Sequence, residues 1–258
     1  MLKYIDVHTH LCDPIIKNRF SEVRSAYLDA GIIYVVDSGC CKNTSYECSE
    51  NANNFKEVYF TAGIHPEYAG QTPIGEESFL TELGMHSKCI AIGEIGLDYH
   101  YGKEHKDRQI ELFKSQLKIA NELSLPVVIH SRDACKDTFD IIKENISILK
   151  NGFLMHCYSE SKEIAKELVK LGAYFSFGGS STFKNSKKAE VIKEIPLDRL
   201  LIETDAPFLT PEPLRGRPNE SKNVVHTYSF IAKTLNLTEC ELTEICFNNF
   251  KKLFKKIK

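Results

Sequence analysis

The stretch "KYIDVHTHL", residues 3–11, runs an apolar segment into two histidines one residue apart, His8 and His10. In a β-strand alternate side chains share a side, so Asp6, His8 and His10 point one way, with His8 and His10 about 6.6 Å apart along the strand. Two imidazoles so placed can close on a single metal ion from adjacent tiers. Two exposed loop histidines are the alternative. The continuation is "THLCDP", not the glycine-rich phosphate loop that usually follows the first strand of a doubly wound open sheet. The first strand therefore favours a closed sheet.

Working outward, the same kind of run recurs as "IIYVVDSG", "VYFTAGIH", "CIAIGEIG", "PVVIHSR", "GFLMHCYS", "AYFSFGGS" and "RLLIETDAP". Between most of these lie segments with apolar residues every three or four positions, such as "KDRQIELFKSQLKIANELS" and "SKEIAKELVKLG", which predict helices. The second of these ends on a glycine suited to a left-handed cap. Nearly wholly apolar strands, each followed by a helix, imply a parallel sheet covered by helices. Eight such units in 258 residues predict an α/β fold, a TIM-type (β/α)8 barrel. No repeat, low-complexity tract or linker interrupts residues 1–258, so a single domain is expected. The last stretch, "ECELTEICFNNFKKLFKKIK", reads as an extra C-terminal helix packed on the outside. Its lysines read as a cationic last turn that complements the helix dipole or as a plain solvated face, with a nucleic-acid patch as the alternative.

Composition sets limits. With 42% hydrophobic and 26% charged residues the chain is an ordinary globular one, and its formal net charge of −2 supplies no long-range field for a polyanion. A nucleic-acid partner would have to be gripped locally. The opening "MLKYIDVHTH" meets polar residues too soon for a signal-peptide core, and no apolar run approaches ~18 residues. A cytoplasmic protein without a membrane partner or an obligate protein partner is expected. The nine cysteines are odd in number, irregular in spacing and without a C-x-x-C pair, which predicts reduced thiols. Cys40 and Cys41 read as packing residues.

The apolar runs end in polar residues: His8 and His10 on the first, His65 on the third, Glu94 on the fourth, His130 on the fifth, His156 on the sixth and Asp205 on the eighth. The C-terminal mouth of a (β/α)8 barrel is where active sites are built, so these residues are expected to meet there. A buried carboxylate without a partner costs several kcal/mol, so Glu94 needs a cation. A bridging position between two metal ions would supply one, and an ion pair with Arg132 is the alternative. His130 and His156, at equivalent places on consecutive strands, read as ligands rather than hydrogen-bonded core residues. Asp205 is placed to bind a metal and take a proton from water. Glu203 shares its face and could hold a histidine N–H. His65 either contacts substrate phosphate or packs. Cys157, beside His156, faces the opposite way and makes a poor nucleophilic pair with it.

With these residues assembled, the chain resembles the TatD family of metal-dependent deoxyribonucleases, within the amidohydrolase-like superfamily. The resemblance is carried by "DVHTHL", "TAGIHP", "IGEIGLDY", "PVVIHSRDA", "HCYS", "LLIETDAP", "RGRPNES" and "NNFKKLF", in order along nearly the full length. One departure is Pro218, where the family commonly shows another basic residue. The resemblance implies a barrel with two divalent metal ions, from among Mg, Mn and Zn. His8, His10, Glu94 and Asp205 would surround one ion, and Glu94, His130 and His156 the other.

Such a pair of ions would lower the pKa of a bound water toward ~7 and neutralise charge growing on a phosphodiester. Asp205 is then the expected general base and Glu94 the bridge. Arg132, Arg215 and Arg217 are candidate phosphate donors. The expected substrate is DNA, degraded from the ends of single or frayed strands. The rival readings are a hydrolase of a small ester, lactone, amide, phosphotriester or aminoacyl-tRNA ester on the same site, a PHP-type phosphoesterase, and a non-catalytic binding protein.

Overall fold

The computed structural model describes residues 2–257. Eight parallel strands form one sheet in the order β1 to β8: β1 (Tyr4–Thr9), β2 (Ile32–Ser38), β3 (Val58–Ala62), β4 (Cys89–Asp98), β5 (Val127–Arg132), β6 (Phe153–Met155), β7 (Tyr174–Phe177) and β8 (Leu200–Ile202). A parallel bridge between Thr9 and Ala206 brings the last strand back to the first. The expected barrel is therefore formed, with each apolar run of the sequence supplying one strand. β6 and β8 are shorter than their runs, so His156, Glu203 and Asp205 stand on the turns just beyond them.

Helices fill the returns: α1 (Pro14–Lys17) and α2 (Phe20–Asp29) after β1, α3 (Lys42–Asn54) after β2, α4 (Phe79–Gly84) after β3, and α5 (Lys106–Glu122) after β4. α6 (Cys135–Glu144), α7 (Lys162–Lys170) and α8 (Lys188–Ile192) follow β5, β6 and β7, while α9 (Val224–Leu235) and α10 (Glu239–Leu253) follow β8. Local chemistry sets their ends. The Ser161 hydroxyl accepts from Ile164 N to start α7. Gly172, at φ +89°, stops it while the Ala173 N–H returns to the Leu168 carbonyl. Thr238 and Glu241 exchange side-chain and backbone bonds in a capping box that starts α10.

Two apolar layers result. One lies between the strands and the helices and includes Phe60, Leu112, Phe113, Leu117 and Tyr228. The other fills the barrel, with Ile5, Val36, Tyr59, Ile90, Val128, Leu154, Tyr174 and Leu201 contributed by the eight strands in turn. Phe250, Leu253, Phe254 and Ile257 belong to this inner layer. The expectation that the C-terminal helix merely packs outside is thus corrected: its end turns under the barrel and plugs it. Asn249 Nδ2 donates to the carbonyls of Leu197 and Leu200, just before and at the start of β8. Lys256 Nζ donates to the carbonyls of Gly84 and His86, ahead of β4. This end is opposite the mouth, so Lys256 lies at the foot of the barrel. An apolar plug suits the site because the foot of such a barrel serves stability and its mouth serves chemistry.

All nine cysteines are free. Among the described residues no helix is long and apolar enough to cross a membrane.

Phe254 is fully buried in the plug. Phe254→Ala should lower unfolding free energy by about 3–5 kcal/mol, read from the urea midpoint at unchanged slope. A loss below 1 kcal/mol would show that the plug does not seal the inner layer.

Candidate metal centre

β1 is fixed at its polar end by its neighbour across the barrel seam. Asp6 Oδ1 accepts from Thr204 N at 2.8 Å and Asp6 Oδ2 from the Thr204 hydroxyl at 2.6 Å. One residue further on, Asp205 N donates to the His8 carbonyl and His10 N to the Ala206 carbonyl. Asp205 sits at φ +56°, a left-handed turn that aspartate tolerates. The aspartate that shares a face with His8 and His10 is therefore the stitch that sets them opposite Asp205. It is not a ligand.

Glu94, 3% exposed, is the centre. Its Oε2 lies 3.3 Å from His8 Nε2 and 3.9 Å from His10 Nε2. Its Oε1 lies 2.7 Å from His156 Nε2, 2.9 Å from His130 Nδ1 and 3.5 Å from His65 Nε2. Asp205 Oδ1 stands 3.3 Å from His10 Nε2 and 3.8 Å from His8 Nε2. Gly96 makes room beside it. At φ +141° a Cβ on this residue would lie 2.0 Å from the His130 carbonyl oxygen, so only glycine lets β4 and β5 close at this level.

Most of these imidazoles have one nitrogen turned inward and the other engaged behind. His10 Nδ1 faces the Ser38 carbonyl at 3.1 Å; a carbonyl only accepts, so Nδ1 carries a proton, and Nε2, facing Asp205, is a lone pair in the neutral ring and a donor to Asp205 in the protonated one. His130 Nε2 faces the Asp98 carboxylate at 3.0 Å and donates to it, so Nδ1, 2.9 Å from Glu94, is a lone pair in the neutral ring and a donor to Glu94 in the protonated one. His8 Nδ1 meets the Ser38 hydroxyl at 3.1 Å. His156 Nδ1 stands 3.7 Å from Glu203 Oε1, and Glu203 is itself held by Cys157 N and the Ser176 hydroxyl. His65 is wired the other way: Nδ1 accepts from Glu67 N at 3.2 Å, so Nε2 carries the proton and points inward as a donor.

These residues fit divalent cations. His8 Nε2 is buried with no hydrogen-bond partner, and His130 Nδ1 and His156 Nε2 converge to 3.3 Å on the same carboxylate oxygen. With the rings neutral, the inward lone pairs call for a cation; without one, protons on His10, His130 and His156 take its place. His8, His10 and Glu94 form one group of donors within 4.8 Å of one another, Glu94, His130 and His156 a second, and His8, His156 and Asp205 a third. Imidazole and carboxylate together suit Zn or Mn better than an all-oxygen Mg site does. Cys12, Asp37 and Cys48 also cluster. There the Asp37 oxygens are already taken by Leu11 N and Asn51 Nδ2, which ties down the loop after His10.

Electrostatics agree. Burial pushes the Glu94 carboxyl up, but the charge of His156 and hydrogen bonds from His130 and His156 overcome this, holding it well below the usual carboxylate range. Burial likewise acts against the charge of Asp205, and the hydrogen bond from His10 outweighs it, so the group is ionised at neutral pH. Burial takes His65 down to about 3, which keeps it neutral.

The candidate phosphate donors lie farther out. Arg132 does not pair with Glu94; it is exposed, with its guanidinium 4.7 Å over the Tyr101 ring. Arg215 is exposed, 4.2 Å over Phe183, with Glu212 3.9 Å away. Arg217 is also exposed. Cys40 is more than packing, since its Sγ lies 3.6 Å from His10 Nδ1.

Sequence reading missed Ser38, Asp98, Gln109 and Gln116. Gln109 clamps both the N–H and the carbonyl of Asp98, and Gln116 does the same for Ile64, next to His65. Both glutamines are buried on α5, and a buried amide on an otherwise apolar helix face was the available signal.

Comparison with known proteins gives a consistent result. The profile of the family described as TatD related DNase matches residues 5–255. The metal-dependent hydrolase YabD of Bacillus subtilis is 41% identical over 251 residues, covering 97% of this chain and 98% of that protein. The metal-dependent hydrolase YcfH of Escherichia coli K12 is 38% identical over 198 residues, covering 76% of this chain and 74% of that one. Among solved structures, that of YjjV, a TatD homologue from Escherichia coli K12, superimposes with a TM-score of 0.93 at 27% identity, covering 98% of both chains.

Glu203→Gln removes the charge behind His156 and should weaken divalent-metal binding roughly 10–100-fold, read by calorimetry. Affinity unchanged within twofold would assign Glu203 to packing alone. Metal should also stabilise the fold: free ion at 100 times its Kd should add about 2.7 kcal/mol to unfolding, and no rise in Tm would rule out binding at the folded mouth.

Proposed function

The chain belongs to the TatD family of metal-dependent hydrolases, and on that premise we propose that its substrate is DNA, hydrolysed at phosphodiester bonds from single-stranded or frayed ends with two divalent ions at the mouth. The observation that carries this reading is the convergence of His8, His10, Glu94, His130, His156 and Asp205 with a buried His8 nitrogen that no protein group satisfies. His8, His10, Glu94 and Asp205 would hold one ion and Glu94, His130 and His156 the other. Ions so held supply Lewis-acid polarisation of phosphoryl oxygen and make water a competent nucleophile near neutral pH.

The chain's own residues do the rest. Asp205, ionised and set beside His10, accepts the proton of the attacking water. Glu94 joins the two ligand groups through its separate oxygens. His65, neutral with its proton on Nε2, donates a hydrogen bond to a phosphoryl oxygen without adding a charge that would repel the ions. Arg132, Arg215 and Arg217 stand exposed around the mouth and give bidentate donors to phosphates further along the strand. With a net charge of −2 the chain has no long-range pull on a polyanion and the grip rests on local donors, which favours ends over long duplex.

Metal-stripped protein titrated with Mg²⁺, Mn²⁺ and Zn²⁺ on a 3′-end-labelled single-stranded oligonucleotide tests this. Metal-restored nucleotide release is expected, with Asp205→Asn slower by roughly 10²–10⁴-fold while metal remains bound. Failure of every ion to restore release, with two metals bound per chain, would move the reading to a small ester, lactone or amide.

A further inference from the structure

Two aromatic side chains at the mouth remain unexplained. Phe208 is 52% exposed and Tyr101 60% exposed. Lone exposed apolar residues are ordinary, but these two are built into the site. Phe208 N donates to the Asp205 carbonyl at 2.8 Å, and Asn219 Nδ2 donates to the Phe208 carbonyl at 2.8 Å. The Phe208 backbone is thus pinned from two sides, and its ring stands 5.9 Å, edge to face, from that of His10. Tyr101 N donates to Asp98 Oδ1 at 2.9 Å, on the same carboxylate whose other oxygen orients His130. Its ring carries the Arg132 guanidinium at 4.7 Å and meets His100 at 4.6 Å.

The loops bearing these rings follow β8 and β4. In a sheet ordered β1 to β8 and returning on itself, those strands are four apart, so the two rings belong to opposite sides of the mouth, Phe208 beside His10 and Tyr101 on the carboxylate behind His130. Both rings stand open on fixed backbones beside the charged centre. A flat partner that brings its own phosphates would use both the rings and the nearby arginine.

We propose that Phe208 and the Tyr101–Arg132 pair are two stacking platforms for unpaired nucleobases, one on each side of the phosphodiester positioned over the ligand groups. The inference rests on the polynucleotide reading above and sharpens it. A base can reach either ring only when unpaired and unstacked from its neighbour, so the platforms select single strands over duplex without reading sequence. They would also reject a bare phosphodiester chain, which the ligand groups and arginines alone would accept.

The test compares oligothymidylate of eight residues with a chain of eight abasic tetrahydrofuran residues, equal in phosphates and lacking bases. Binding of their phosphorothioate forms to the metal-loaded protein is read by fluorescence anisotropy, and cleavage of the phosphodiester forms is measured alongside. Wild-type protein should bind the base-bearing chain at least about tenfold tighter. Phe208→Ala and Tyr101→Ala should each cut that ratio about tenfold or to unity. Phe208→Tyr should keep it and Phe208→Leu, apolar without a ring, should not. Equal binding of the two chains by wild type, or a ratio untouched by both alanine variants, overturns the platforms, and if both chains are still cleaved the nuclease reading stands. Cleavage of neither chain with any ion, alongside turnover of a small ester, removes both.

Discussion

The structure turns on one buried carboxylate. Glu94 is set inside the mouth of an apolar barrel, where an unpaired charge would cost several kcal/mol. The positive charge that compensates it, a divalent ion or a proton in its place, is held by imidazoles delivered by β1, β5 and the turns after β3 and β6. An imidazole compensates only if the correct nitrogen faces inward, so each needs a partner behind it, and those partners need fixing in turn. From this one requirement follow Asp98 behind His130, Gln109 behind Asp98, Ser38 behind His8 and His10, and the stitch from Asp6 to Thr204. His65 obeys the same logic with the opposite outcome: its outward nitrogen accepts, so its inward one donates and is a poor ligand.

The two ends of the barrel divide the work. The foot is sealed by Phe250, Leu253, Phe254 and Ile257, which share the inner layer with a residue from every strand. That rigid support lets the mouth carry charge, left-handed turns and open aromatic rings that would be liabilities elsewhere. Asp205 shows the arrangement at a single residue. Its φ is +56°, its N–H is tied to His8, and its carboxylate is free to face His10.

Around the centre, cations are few and placed. Arg132 and Arg215 both lie over aromatic rings, which keeps each guanidinium flat and its edge available. A chain of net charge −2 cannot attract a polyanion at a distance, so on the proposed reading selectivity would arise at contact, from ligand groups, arginines and exposed rings within one mouth.

Much of this was legible in the sequence. Eight apolar runs separated by helical spacing set the barrel, because burial on both faces of a parallel strand leaves a continuous apolar signal. The positions of His8, His10, Glu94, His130, His156 and Asp205 at the ends of those runs foretold where they would meet. What the sequence left open is decided by bonds between residues far apart in the chain. Asp6 and Thr204 are 198 residues apart, and nothing local marks them as partners. The direction of each imidazole depends on an acceptor contributed by another strand. Whether Arg132 meets Glu94 or Tyr101, and whether the last helix lies outside the barrel or plugs it, depends on which surfaces remain unsatisfied once the strands have closed. Periodicity records which face of an element is buried, and only the closed barrel determines what that face is buried against.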